Sequence, residues 1–269
     1  MKKSILMLNM LVILSVGIFT ECKCGDKKAE KLFKEPIINY NQEEYMAFIM
    51  NSTRMWEGIV KKNETNYLSN PDDTLLLYNL VRSYVGYTNA CIGNQNKETF
   101  DLIIQKAERY SKILTKLIPD WAKAFALESA IISSKLAFEP QKGMMLGPKN
   151  QKAIDKAIKL NDKEPLAWYQ IAGNKLHTPE QFGGSVPKAI EYYLKSIELF
   201  EHDSNLLTNN WQYLNALTWI GIAYDKAGKY PEAVNSFNKA LEFEPDFGWI
   251  KFVLMPDTKK KMAELSINQ

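Results

Sequence analysis

Histidine is almost missing from this chain. Of 269 residues only His177 and His202 carry an imidazole, the side chain most used for acid–base work and metal binding near neutral pH. Neither stands at His-x-x-x-His spacing, and Cys22, Cys24 and Cys91 make no Cys-x-x-Cys pair, so no metal site is expected. Cys22 and Cys24 are too close for an easy bond with each other, and no disulfide framework is readable. Arginine is equally scarce, at Arg54, Arg82 and Arg109. With a net charge of only +3 and basic residues interspersed among acidic ones, bidentate phosphate gripping has few donors, and nucleic acid is not an expected partner. No Gly-x-Ser-x-Gly elbow occurs. Gly183-Gly184 lacks the Lys-Ser/Thr of a phosphate loop, and Gly143-Met-Met-Leu-Gly147-Pro-Lys149 follows no strand; both segments read as turns. Glu43-Glu44 and Asp72-Asp73 stand where helices begin, and carboxylates are favoured there by the helix dipole. The chain therefore reads as a non-enzyme without a cofactor. Strand-like alternation is nowhere convincing, which leaves an all-α fold.

Long apolar runs are also missing, with one exception. Ile5–Phe19 follows Lys2-Lys3 and is broken only by Asn9, Ser15 and Gly17. It is short for a membrane-spanning helix, which needs about 20 apolar residues, and suits the core of an export signal over residues 1–21. Cys22 follows directly and is a lipidation candidate, as in a bacterial lipoprotein. Conventional cleavage nearby and retention as an uncleaved anchor are the alternatives. The expected location is outside the cytoplasm, either periplasmic or tethered to the membrane as a lipoprotein. The membrane is then touched only through an N-terminal lipid or anchor. Residues 22–41 read as a tether, and 42–71 as an N-terminal helical region with one helix from about Glu43 to Lys62.

Positive evidence is concentrated in residues 214–247. Leu217, Ile220-Gly221 and Tyr224 are followed by Ala233, Phe237, Ala240 and Pro245, which makes two amphipathic stripes with small residues where helices must approach. Gly228 suits the end of the first helix, Pro231 the first turn of the second, and Pro245 its stop. The spacing resembles one full 34-residue tetratricopeptide unit. Further pairs are expected at about 72–119, 120–162 and 163–201. The pair at 163–201 has Trp168, Ile171 and Ala172 before an enlarged turn, Lys175–Pro187, and Ala189, Tyr193 and Ser196 after it. The two earlier pairs are more degenerate, with lengthened segments between their helices and registers that sequence does not fix. The unit ends Ile118-Pro-Asp-Trp121, Leu160-Asn-Asp162 and Glu244-Pro-Asp-Phe247 echo one another. Residues 257–269 read as a C-terminal cap. The fold class implied is an all-α, tetratricopeptide-like solenoid of lengthened repeats with capping helices.

The resemblance also implies a function. In this family the inner helices line a concave groove that binds protein or peptide. Its groove positions correspond here to Asn215, Thr218, Ile222 and Asp225, to Leu166, Tyr169 and Gly173, and to Tyr78 and Arg82. Thr218 and Ile222 stand where a carboxylate-clamp subgroup needs Lys and Asn, so a terminal carboxylate is not the expected ligand. The expectation is a non-catalytic binding or assembly scaffold with a protein or peptide partner in the envelope, self-association into a homo-oligomer being a further option. The turn Phe182-Gly-Gly184 with Pro187-Lys-Ala189 locally resembles the T-component of TRAP-type transport systems. That likeness implies an alternative: an accessory component of solute transport that binds a small apolar ligand or a substrate-binding protein.

Overall fold

The computed structural model describes residues 36–267 and contains eleven α-helices there. The export segment, Cys22 and most of the tether lie outside the described residues. α1 (Gln42–Ile49) and α2 (Thr53–Ser69) come first. Four helical pairs follow: α3 (Thr74–Gly93) with α4 (Lys97–Leu117), α5 (Ala122–Phe138) with α6 (Gly143–Leu160), α7 (Pro165–His177) with α8 (Val186–His202), and α9 (Trp211–Lys226) with α10 (Tyr230–Phe243). A π-helical turn at Ile250–Leu254 leads into α11 (Met255–Ile267). No helix among the described residues is long and apolar enough to cross a membrane.

Local chemistry explains the boundaries. Asn41, Ser52, Asp73, Asn96, Ser185 and Asn210 each cap a helix by accepting a backbone N–H in its first turn, satisfying donors that the helix itself leaves open. Pro165 and Pro231 lie in first turns, where a missing N–H costs nothing. Gly228 adopts φ +71° just beyond α9, the left-handed backbone that ends helices through glycine.

Three expectations change. The single helix from Glu43 to Lys62 is two helices. Asn51 takes φ +45° between them and Ser52 caps the second, because asparagine tolerates the left-handed region better than most residues. The extra length of the first two pairs lies in the helices rather than in loops, since α3 and α4 are joined by residues 94–96 alone. Gly143–Lys149 is not a turn but the first part of α6, with Pro148 inside the helix.

Consecutive helices pack on one another, and the first helices of the pairs, α3, α5, α7 and α9, also pack on one another in sequence. They form the inner row of the solenoid. In the last pair, Leu217, Ile220, Ala233, Phe237 and Ala240 are all buried. A Cβ on Gly221 would come within 2.4 Å of the Phe237 ring, so the small residue is what lets α9 and α10 meet. Trp121 and Phe247, the aromatics of the echoed unit ends, are both buried in the core. Ala240 is fully buried beside these contacts, and Ala240→Leu is expected to overpack the pair and cost about 1–3 kcal/mol. Urea unfolding of the variant measures this, and an unchanged midpoint would show that α10 does not present Ala240 to the tight crossing.

Candidate functional site

The first and last described helices, α1 and α11, are both tied to the inner row. Residues 39–49 lie against the first and last inner helices. α1 packs on both α3 and α9, and Glu44 is its anchor. Glu44 is 1% exposed and accepts from Arg82 of α3 twice, from Nε at 2.9 Å and from Nη2 at 3.2 Å. Arg82 also donates to the Asn39 carbonyl at 3.3 Å, and its guanidinium lies 5.2 Å from the Tyr40 ring centre. The indole N–H of Trp211, the first residue of α9, reaches Glu44 at 3.4 Å. Rings close the joint: Phe48 lies 5.5 Å from both Trp211 and Phe247, and Trp56 lies 5.7 Å from Trp211. Charges continue the layer, with Lys123 at the start of α5 paired to Glu164, the N-cap of α7, at 2.7 Å. Burial pushes the Tyr40 phenol up to about 12.

The opposite end is held by α11. Asp225 near the end of α9 accepts from Thr258 at 2.6 Å and from Lys261 at 2.7 Å. Lys261 also pairs with Asp257, and these hydrogen bonds hold its ammonium above the usual lysine range. Lys226 donates to the Leu176 carbonyl at 2.9 Å, tying α9 to α7.

The expected groove positions divide accordingly. Tyr78, Arg82, Leu166 and Thr218 are interior residues, not groove walls. Arg82 is committed to Glu44, Tyr78 packs tilted against Trp121 with ring centres 4.7 Å apart, and the Thr218 hydroxyl donates to the Leu214 carbonyl. Asn215 is buried as well and donates to the Tyr169 hydroxyl at 2.8 Å. Asp225 is engaged by the C-terminal helix. Tyr169, Gly173 and Ile222 keep partial exposure. Tyr169 packs at 5.6 Å on Tyr193, whose hydroxyl lies 3.5 Å from where a Cβ on Gly173 would stand. Beside Ile222 on α9, Trp219 meets His177 at 5.1 Å and the half-exposed Trp249 at 6.4 Å. The structure thus brings together Tyr169, Asn215 and Tyr193, and separately the Trp219 cluster, which sequence reasoning did not single out. Trp249 follows the last repeat and carries no repeat-position signal.

A second concavity lies on the outer side. α4 and α6 stand apart over α5, leaving a cleft of about 470 Å³. Its floor and walls include Phe125, Ile131, Ile132 and Leu146, and its rim carries lysines. The spacing of Lys149, Lys152 and Lys156 along α6 is the one sequence signal that marks it, since residues three and four apart share a helix face.

Comparison with known proteins agrees with this architecture. Residues 214–247 match the tetratricopeptide repeat family. The structure is similar to the HusA haemophore from Porphyromonas gingivalis, at TM-score 0.56 and 19% identity over 69% of this chain and 91% of that one. It is similar also to TTC0263, a thermophilic TPR protein of Thermus thermophilus, at TM-score 0.55 and 15% identity over 82% and 99% of the two chains. No curated protein matches the sequence. Residues 214–247 thus form one tetratricopeptide repeat within a tetratricopeptide-like solenoid.

Proposed function

We propose that the protein is a non-catalytic binding scaffold of the cell envelope, exported by its N-terminal segment and held near the membrane through Cys22 or an anchor. The partner is a protein or peptide that docks on the part of the inner row left between α1 and α11. One observation carries this reading: Tyr169, Gly173 and Ile222 remain partly exposed where both neighbouring ends of the row are covered. Tyrosine beside small and aliphatic residues suits an anchor pocket, because a few aromatic contacts supply most of an interface's binding energy.

The test is a crosslinking pull-down of tagged protein from its native envelope, read by mass spectrometry. Tyr169→Ala is expected to lose a reproducibly recovered partner while the far-UV spectrum stays helical. Tyr169→Phe, which keeps the ring and loses only the bond with Asn215, should retain it. Equal recovery with Tyr169→Ala would overturn the groove assignment.

A second reading, an accessory component of solute transport that takes a small ligand, draws on the α4–α6 cleft. HusA, named as a haemophore, has a similar fold. Recovery of this chain alone, as a defined oligomer, would favour that reading.

A further inference from the structure

The cleft over α5 is not a simple consequence of stacking helical pairs. The equivalent hollow of the last pair, between α8 and α10 over α9, measures about 240 Å³, roughly half the size. Its one lysine, Lys239, is tied to Glu201 at 2.6 Å. The α4–α6 cleft instead presents four lysines, Lys112, Lys149, Lys152 and Lys156, against two glutamates, Glu108 and Glu128. Glu108 is already paired with Lys135 at 2.8 Å. Lys149 and Lys152 are exposed and have no ion-pair partner among the described residues. Lys156 lies over the Phe125 ring at 5.6 Å, which places cationic charge directly above the apolar floor. Glu128 is partly buried in the floor, and that burial raises its pKa towards the neutral form, with Lys112 acting in the other direction. The hydroxyl of Ser111, also in the lining, is buried and has no hydrogen-bond partner among the described residues. A buried polar atom without a partner is costly.

We propose that this cleft binds a monomeric long-chain carboxylate, its apolar body laid on Phe125, Ile131, Ile132 and Leu146 and its acid held by Lys149 and Lys152. The volume is within the range of about 300–1,000 Å³ typical of small-ligand sites. Two unpaired lysines on the α6 side of an apolar floor suit a site that orients an amphiphile rather than burying a neutral hydrocarbon. Lysine suits this head group because a flexible ammonium serves a single charge without the fixed geometry that arginine imposes. The inference deepens the second, ligand-taking reading and is independent of the Tyr169 groove.

Natively processed full-length protein titrated with the fluorescent polyene fatty acid cis-parinaric acid tests the site, with the corresponding alcohol as the uncharged probe. The acid is expected to bind at least about tenfold more tightly than the alcohol. Lys149→Glu with Lys152→Glu should remove that preference. Lys188→Glu with Lys195→Glu, which alters net charge equally at one exposed and one partly exposed position on α8, away from the cleft, should not. Ile132→Glu should weaken both probes, and melting curves of all variants show whether the fold is kept. Equal binding of acid and alcohol, equal losses in the α8 control, or binding only to anionic phospholipid vesicles would each overturn the proposal. An acidic partner helix captured through the same lysines, without fatty-acid binding, would overturn it too. Tyr169→Ala is expected to leave fatty-acid binding unchanged. Failure of the cleft is thereby separated from failure of the protein-binding groove. Loss of all ligand binding with an intact partner pull-down would remove the ligand-taking reading itself.

Discussion

Arg82→Ala is expected to destabilise the protein by about 3–5 kcal/mol, the usual result of breaking a buried ion pair from one side. Arg82 and Glu44 are each about 1% exposed, so the substitution leaves a carboxylate buried without its cation. The same change removes the guanidinium contacts with Tyr40 and Tyr78, at 5.2 and 5.7 Å, and the bond to the Asn39 carbonyl. Guanidinium unfolding followed by far-UV dichroism measures the loss. The paired replacement Arg82→Met with Glu44→Leu separates charge from packing. Removing both charges is often neutral or stabilising where removing one is not, so the double variant should recover most of the stability. A loss below about 1 kcal/mol in Arg82→Ala would mean that the pair is solvated as an ordinary surface salt bridge is, and that α1 is not locked to the first repeat.

The same joint shows where sequence reasoning stops. The last repeat was legible because its evidence is local: Leu217, Gly221, Phe237 and Ala240 sit at fixed offsets within one hairpin, and each offset reports a face of a helix. The all-α solenoid followed from that unit and from weaker echoes of it at 118–121 and 160–162. Helix lengths in the earlier pairs were not legible, since residues beyond the repeat pattern give no sign of whether they extend a helix or form a loop. The break at Asn51 has a sequence signal, asparagine before a capping serine, but the apolar stripe from Tyr45 to Ile59 runs across it.

The candidate site was less legible than the fold. Repeat positions show which residues face the inner side of a hairpin, but not what covers that side. Glu44 reaches Arg82 across 38 positions and Trp211 across 167. Nothing in the local pattern of residues 42–49 distinguishes a free capping helix from one that bridges the first and last inner helices. Asp225 fits a groove position by offset, and it is occupied because α11 folds back to place Thr258 and Lys261 against it. Lys149, Lys152 and Lys156 recur at helical spacing, but the cleft depends on how far α4 stands from α6, which no spacing reports.

Trp211→Ala carries the second large expected effect and shows whether the two ends of the solenoid fold as one unit. Trp211 is 2% exposed and fills the space between Phe48, Trp56 and the Glu44 carboxylate. Truncating a buried tryptophan costs about 3–5 kcal/mol, the removed contacts and the remaining cavity both contributing. Because Trp211 and Arg82 share Glu44, their effects should not add. A double-mutant cycle between Trp211→Phe and Arg82→Ala is expected to show a coupling of about 0.5–3 kcal/mol, with Trp211→Phe retaining the aromatic packing but not the N–H. Simple additivity would mean that the 3.4 Å contact to Glu44 contributes little, leaving ring packing alone to hold α9 against α1. Hydrogen exchange adds a direct readout. If α1 closes the array, Trp211→Ala should raise exchange in α1 and in the first turns of α3 and α9 together, as one cooperative unit. Exchange confined to α9 would instead describe independently opening repeats, as in an unclosed solenoid with nearest-neighbour coupling alone.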